Sequence, residues 1–460
     1  MNMPEAVNAN TRASGITREL IAHTQRFRFG ALPDDVKEIA RRCVLDWVGV
    51  ALAGSRDELT HVLLGEAVAE GGKPVATVVG HSARVAPLQA ALINGASSHV
   101  LDYDDVNLSM NGHPSAAILP ALLALAEVDR ADGRRLIEAF VAGYETACRV
   151  GLLVAPGHYL RGYHATATIG AVAAAAACAH LLKLDDERAA QALGIAATQA
   201  GGLKAMFGTQ CKPFHAGLAA HNGLRAARLA AAGMQSRADA LECRQGFAAT
   251  MSPNFNPDAA LASLEKFYLR ENLFKYHASC YGTHASIECV RQLRDANAVA
   301  PQNIARVTVR VEQGSDAVCN IATPRTALEA KFSLRFMTAA ALAGADTSDL
   351  ALFTDARTAD AGLCALRDKV EVELVPEWPM MQSEVKIALK DGRTLSALHD
   401  AGIPGTDGAN QARRLTAKFE RLVEPVLGGE RCRALQRLLE SVERTTAPDL
   451  MAACAAPSKE

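Results

Sequence analysis

Groups that can move protons are crowded into short junctions between apolar stretches. Of thirteen histidines, all but one precede residue 300. The densest junction carries His99, Asp102, Asp104 and Asp105, with His113 eight residues further on. Neighbouring carboxylates raise one another's pKa, and a carboxylate can orient an imidazole, which is the combination general acid–base catalysis needs. The plainer account is a helix end solvated by acids, with His113 packing or capping.

Three further junctions have the same texture. Tyr163 and His164 precede a long alanine-rich run that includes Thr166 and Thr168. The segment Gly208 to His215 places Gln210, Lys212 and His215 between two alanine-rich stretches. Pro213 fixes its own φ and biases Lys212 away from the α region, so Lys212 is expected on extended backbone ahead of the next helix. An ammonium at the N-terminal side of a helix opposes the dipole, and an anion bound beside it relieves the conflict. The fourth junction, LFKYHASCYGTHASIE, contains Lys275, His277, Cys280, Tyr281 and His284. On a helix Cys280 and His284 share a face. Their pairing suits a thiolate nucleophile, but nothing nearby specifies an oxyanion hole.

The motifs of other chemistries are missing. There is no HExxH, no CxxC pair and no HxE followed by PCxxC, so a metal centre built from His99, Asp102 and His113 has little support. P-loop and dinucleotide-binding glycine patterns are absent too. What is left is a pocket expected to need no metal and no cofactor. Its imidazoles, two lysines and at least one carboxylate suit proton abstraction next to a carboxylate, with the cations holding an anionic substrate.

The elements that must position these groups follow from periodicity. Apolar residues recur at three and four in about 17–27, in VKEIARRCVLDWVGVALAGS, in 57–70 and from Pro87 through the acidic cluster. They do so again after Pro114, in RRLIEAFVAGYETACRVGLLV and in GAVAAAAACAHLL, then at about 188–200, 216–234 and 237–247. The short segments around 75–85 could be a small strand pair or a loop. Near residue 300 the pattern changes. Ile304 to Glu312 alternates, as do 369–376 and 383–397, the last around a Lys390-Asp391-Gly392 turn. Helices are expected between them, near Leu328, at 347–354 and at 356–365. The tail is helical again. The fold expected is therefore mainly α: a large all-helical domain formed by both ends of the chain, with a smaller inserted α+β domain. The boundaries expected are 1–270, 271–400 and 401–460.

Composition narrows the partners. At 460 residues the chain exceeds one ordinary core. A net charge of −2 gives no long-range attraction for nucleic acid. The apolar runs are too short to span a membrane. Eleven widely spaced cysteines without a leader-like start are expected to be thiols in a reducing cytosol.

Several stretches together resemble the MmgE/PrpD family. They are CVLDWVGVALAGS, NGASSHVLDYDD, GHPSAAILPALLAL, GYHATATIGAVAAA, AMFGTQCKPFHAGLAAHNGL, KYHASCYGTHASIE and EAKFSLRF, in the family's order over most of the chain. The family includes 2-methylcitrate dehydratase, cis-aconitate decarboxylase and iminodisuccinate epimerase. The resemblance implies a helical domain with a smaller α+β lid and a homodimer. It also implies Asp102, His113, His164 and Lys212 as catalytic residues, and Lys275 as a carboxylate ligand. Gln210, Cys280 and His284 are the further substrate-binding candidates.

Departures from the family bear on the substrate. Val106 stands where dehydratase and decarboxylase relatives have threonine, and Cys280 where the decarboxylase has histidine. Val318 and Cys319 lie where decarboxylases place a tyrosine. These changes count against cis-aconitate decarboxylation and less strongly against 2-methylcitrate dehydration. The expected activity is a cytosolic, cofactor-independent dehydratase acting on a branched hydroxy di- or tricarboxylate of the 2-methylcitrate type. The alternatives are an epimerase or isomerase of a dicarboxylate such as iminodisuccinate, and a family member that only binds carboxylates.

Overall fold

A computed structural model describes residues 15–456. The chain divides into two units, one comprising the residues up to Asn272 with those from Leu415 onward, the other Leu273–Arg414.

The first unit is helical. Its main helices are α1 (Asp34–Gly54), α2 (Pro87–His99), α3 (Pro114–Val128), α4 (Gly133–Val154), α5 (Ala165–Leu181) and α6 (Cys211–Ala231). Every residue of α5 is buried, as expected of a helix that is apolar on all sides. Its alanines let neighbours approach closely, and Ala117 of α3, Ala171 of α5 and Ala219 of α6 meet in the core. Glycines allow the tightest crossing. A methyl added at Gly95 of α2 would come within 2.7 Å of the Gly217 backbone of α6. This close crossing brings the C-terminal end of α2 and the N-terminal end of α6 to the same region. The segment around 75–85 forms a two-stranded ladder pairing Ala76 with Val85.

In the second unit, α7 (His284–Asn297) and α8 (Leu334–Leu342) accompany strands β1 (Ile304–Glu312), β2 (Val370–Val375), β3 (Gln382–Leu389) and β4 (Thr394–Asp400). The sheet order is β2-β1-β3-β4. β1 runs parallel to β2, with Val307 opposite Val370, and antiparallel to β3, with Val309 opposite Val385. Alternate residues of β3 are buried, as a sheet covered on one face requires. Helix α9 (Gly408–Leu427) starts in this unit and from Leu415 belongs to the first, so helices from both ends of the chain build the larger unit.

Four local expectations were off. The helix expected from Pro87 through the acidic cluster ends at His99, ahead of the acids. Residues 237–247 form turns rather than a helix. The side chain and amide of Ser236 are tied to Gln191 there, and helix propensity alone does not override such contacts. The 347–354 helix shrinks to one 3₁₀ turn, Leu350–Leu352. Lys212 lies inside α6 rather than on extended backbone ahead of it. Pro213 falls in the first turn, where the missing N–H costs no intrahelical bond. No helix among the described residues is long and apolar enough to cross a membrane.

Candidate active site

Helix α2 ends at His99, and the acidic loop turns sharply after it. The Asp102 amide donates to the His99 carbonyl at 3.0 Å, and Asp102 adopts a left-handed backbone, φ 51°. That conformation costs a non-glycine residue about 1–3 kcal/mol, and aspartate is among the residues that tolerate it. The turn allows Asp102 and Asp104 to serve different partners.

Asp104 is fully buried. Its two oxygens lie 3.0 and 2.9 Å from His99 Nδ1. His113 Nδ1 lies 3.0 Å from the second oxygen, an ion-pair distance without hydrogen-bond alignment. Burial alone would raise the Asp104 pKa, but the two imidazoles outweigh it and hold the carboxyl well below its ordinary range. Burial lowers His99 to about 4 despite the opposing charge of Asp104. The His99 and His113 rings meet edge to face, centroids 4.6 Å apart. Asp105 plays another part: it accepts the Ser115 hydroxyl at 2.7 Å, and burial pushes its pKa up to about 7.

Lys212 reaches back from the first turn of α6 to Asp102, with Nζ 2.5 Å from Oδ1. The anion that a cation at a helix N-terminus calls for is thus supplied by the protein itself. His113 Nε2 lies 3.8 Å from the same oxygen. His164 precedes α5, and its Nδ1 is 3.2 Å from His215 Nδ1. A hydrogen bond between two ring nitrogens needs one proton, so when both rings are neutral one Nδ1 is protonated and the other is not. Burial first, then the charges around it, lower His164 well below its ordinary value; burial lowers His215 as well. The His99 and His164 rings stack at 5.9 Å, and Phe207 lies edge-on to His164 at 5.0 Å.

Four of the residues singled out from the sequence, Asp102, His113, His164 and Lys212, therefore belong to one array. His99, Asp104 and His215 join the array, although the family resemblance does not single them out. His99 and Asp104 were visible in the densest junction, and His215 lies three residues past Lys212. Gln210 is exposed at the N-cap of α6 and makes no side-chain cap.

Lys275, Cys280 and His284 lie in the second unit. Lys275 is buried and is among the charges that lower His284. His284 packs on Tyr281 at 4.7 Å and His277 at 4.9 Å. Cys280 does not share a helix with His284: it precedes the 3₁₀ turn Tyr281–Thr283, and α7 begins only at His284. Its thiol pairs with that of Cys319, whose pKa is raised by this contact and by burial. The shared helical face expected for Cys280 and His284 is therefore not formed.

His99, Asp102, Asp104 and His113 offer ligand atoms within 4.8 Å of one another, a spacing a metal ion can use. However, the Lys212 ammonium already sits on Asp102 and would repel a second cation there.

Residues 18–260 match the MmgE/PrpD N-terminal domain and residues 277–444 the MmgE/PrpD C-terminal domain. The chain belongs to the MmgE/PrpD family. Among characterised relatives of this MmgE/PrpD chain is the cis-aconitate decarboxylase of Homo sapiens, 27% identical over 445 residues, covering 93% of this chain and 92% of that one. A cis-aconitate decarboxylase-like protein of Aspergillus oryzae is 28% identical and covers 95% and 96% of the two chains. The cis-aconitate decarboxylase of Aspergillus terreus is 28% identical over 68% of each.

Proposed function

We propose that the array in the first unit removes a proton from carbon next to a carboxylate of a small polycarboxylate, opening a lyase reaction. The observation that carries this is one buried carboxylate, Asp104, set against two imidazoles, with the Lys212–Asp102 pair beside them. Family membership supports a carboxylate-acting enzyme.

In the proposed sequence His164 is the base. Its lowered pKa keeps it neutral at neutral pH, and only a neutral imidazole can accept a proton. Lys212, oriented by Asp102, faces the carboxylate whose charge grows as the carbon loses its proton. One well-placed donor contributes about 2.7–4 kcal/mol to such a step. His113, backed by Asp104, delivers a proton to the departing hydroxyl. With a hydroxy polycarboxylate of the 2-methylcitrate type, the products are an alkene and water. A substrate contact by Lys275 and a homodimer rest on the family resemblance, contacts by Gln210, Cys280 and His284 on their places in the polar junctions, and a cytosolic location on the widely spaced cysteines.

Decarboxylation is the second reading, favoured by the names of the relatives. In it Lys212 would steady the charge left by departing carbon dioxide, and His113 would protonate the carbon. Val106, Cys280 and the Val318-Cys319 segment stand against it.

Proton NMR in D₂O with citrate, 2-methylcitrate, cis-aconitate, iminodisuccinate, malate and tartrate tests the proposal. A new alkene signal supports dehydration. Loss of a carboxylate with deuterium on the adjacent carbon supports decarboxylation. Deuterium exchange without an alkene moves the assignment to epimerisation. Binding of these compounds with no exchange in any of them rejects catalysis altogether.

A further inference from the structure

A lysine more than three hundred residues from the acidic loop is built into it. Lys418, on the part of α9 that belongs to the first unit, donates from Nζ to the Tyr103 carbonyl at 2.7 Å. The same ammonium lies 2.6 Å from Asp46 Oδ1 of α1 and 4.0 Å from the centre of the Tyr103 ring. The side chains of Lys418 and Asp46 are only 3% and 2% exposed. A lone buried ammonium would be costly; here a carboxylate, a carbonyl and an aromatic face surround it.

Position gives the contact its meaning. Tyr103 separates Asp102 from Asp104, and the held carbonyl belongs to the peptide that joins Tyr103 to Asp104. Asp102, on the other side, has the left-handed backbone described above. Such a conformation persists only when its surroundings over-determine it. A rotation of the 103–104 peptide would turn Asp104 away from His99 and His113 or Asp102 away from Lys212. The carbonyl held from α9 resists that rotation, alongside the side-chain ties of Asp102 to Lys212 and of Asp104 to His99.

We propose that Lys418, neutralised by Asp46, is a positioning residue that sets the directions of Asp102 and Asp104. This rests on the reading that these two aspartates orient the proton-handling groups. Lys418 acts through the peptide between the two carboxylates, whose carbonyl it holds.

The test replaces the pair together, Lys418→Met with Asp46→Asn, so that no buried charge is left alone. Histidine ring carbons are labelled, and their NMR signals are followed against pH in the protein without substrate. The expected result is displaced His99 and His113 signals, with the His99 midpoint moving up toward an ordinary imidazole. Turnover should fall roughly a hundredfold with KM within about threefold, the scale of a misplacement near 1 Å. Arg41→Gln is the control for general loosening, because it breaks another tie between α1 and the tail, Arg41 to Glu443 at 3.0 Å. It should leave the His99 and His113 signals in place. A folded double variant with unchanged His99 and His113 signals overturns the inference. So does an Arg41→Gln protein that shows the same displacement. If the double variant does not fold, Lys418→Arg, which shifts the buried charge without removing it, is judged by the same signals. Displaced signals in a protein that turns over no polycarboxylate support the positioning role and reject the proposed function instead.

Discussion

Each unit buries a histidine against a carboxylate, and the two pairs differ in what else holds the acid. In the second unit Glu288 takes His277 Nε2 at 3.0 Å and the Arg414 guanidinium at 2.7 Å. Burial works against its charge, yet the imidazole and guanidinium together hold it far below the ordinary range. His277 is fixed at its other nitrogen by the Thr347 hydroxyl, 2.7 Å away. In the first unit Asp104 faces two imidazoles and, among the described residues, pairs with no guanidinium, while the Lys212 ammonium is held by Asp102. A permanently charged arginine on the carboxylate favours a fixed ion pair. Two titratable rings on one carboxylate leave a proton that can move.

The largest effect expected from this contrast comes from Asp104→Asn against Glu288→Gln. The first should lower turnover about a thousandfold, within the range for losing acid–base support, while the fold survives. The second should keep turnover within about tenfold and instead lower the melting temperature. Equal losses of turnover would erase the distinction. Lys212→Met comes next, with kcat/KM lower by about a hundred- to a thousandfold if its ammonium meets developing charge. An unchanged kcat/KM would remove Lys212 from the mechanism.

The pH dependence of stability is a milder test. Burial lowers His99, His158 and His180 to about 4 each and lowers His164 and His284 as well. Unfolded imidazoles take up protons near 6.5, folded ones only below that, so stability falls as pH drops from 6.5 toward 4. Each of the first three can cost up to about 3 kcal/mol at the acid end. Asp105 and Glu145, both pushed up to about 7 by burial, act in the opposite sense, losing stability as pH rises from about 4 to 7. The imidazoles outnumber them, so the melting temperature should fall on acidification from pH 7 to 5. A melting temperature that rises instead would contradict these assignments. Smallest of all, Cys280→Ser should change turnover by less than tenfold, since the thiol is paired with that of Cys319. Complete inactivation would restore the nucleophile reading.

The helices of the first unit were legible because their apolar positions recur at helical spacing, and β1 because Ile304 to Glu312 alternates. Turns at 237–247 were not, because Ala, Leu, Glu and Arg favour a helix locally while tertiary ties decide otherwise. Within the array, Asp102, His113, His164 and Lys212 could be named from short motifs. Asp104 could not be separated from Asp102 and Asp105: nothing in a run of acids tells which one will face two imidazoles. The His164–His215 contact arises where α5 and α6 meet, and the sequence gives no sign of that meeting. Lys418 was the least visible. In an amphipathic tail helix it reads as one more solvated lysine, and only the fold shows it buried on Asp46.

The discontinuity of the first unit has a consequence during synthesis. A ribosome finishes both aspartates, His113, His164 and Lys212 long before it reaches Lys418. Until α9 has left the exit tunnel, Asp46 has no ammonium to neutralise it and the Tyr103 carbonyl has no donor from the tail. Such a nascent chain, like a fragment cut before residue 415, is expected to hold most of the residues of the candidate array without their final geometry. Competence would come only once α9 has been made and packed, a delay built into the order of the chain.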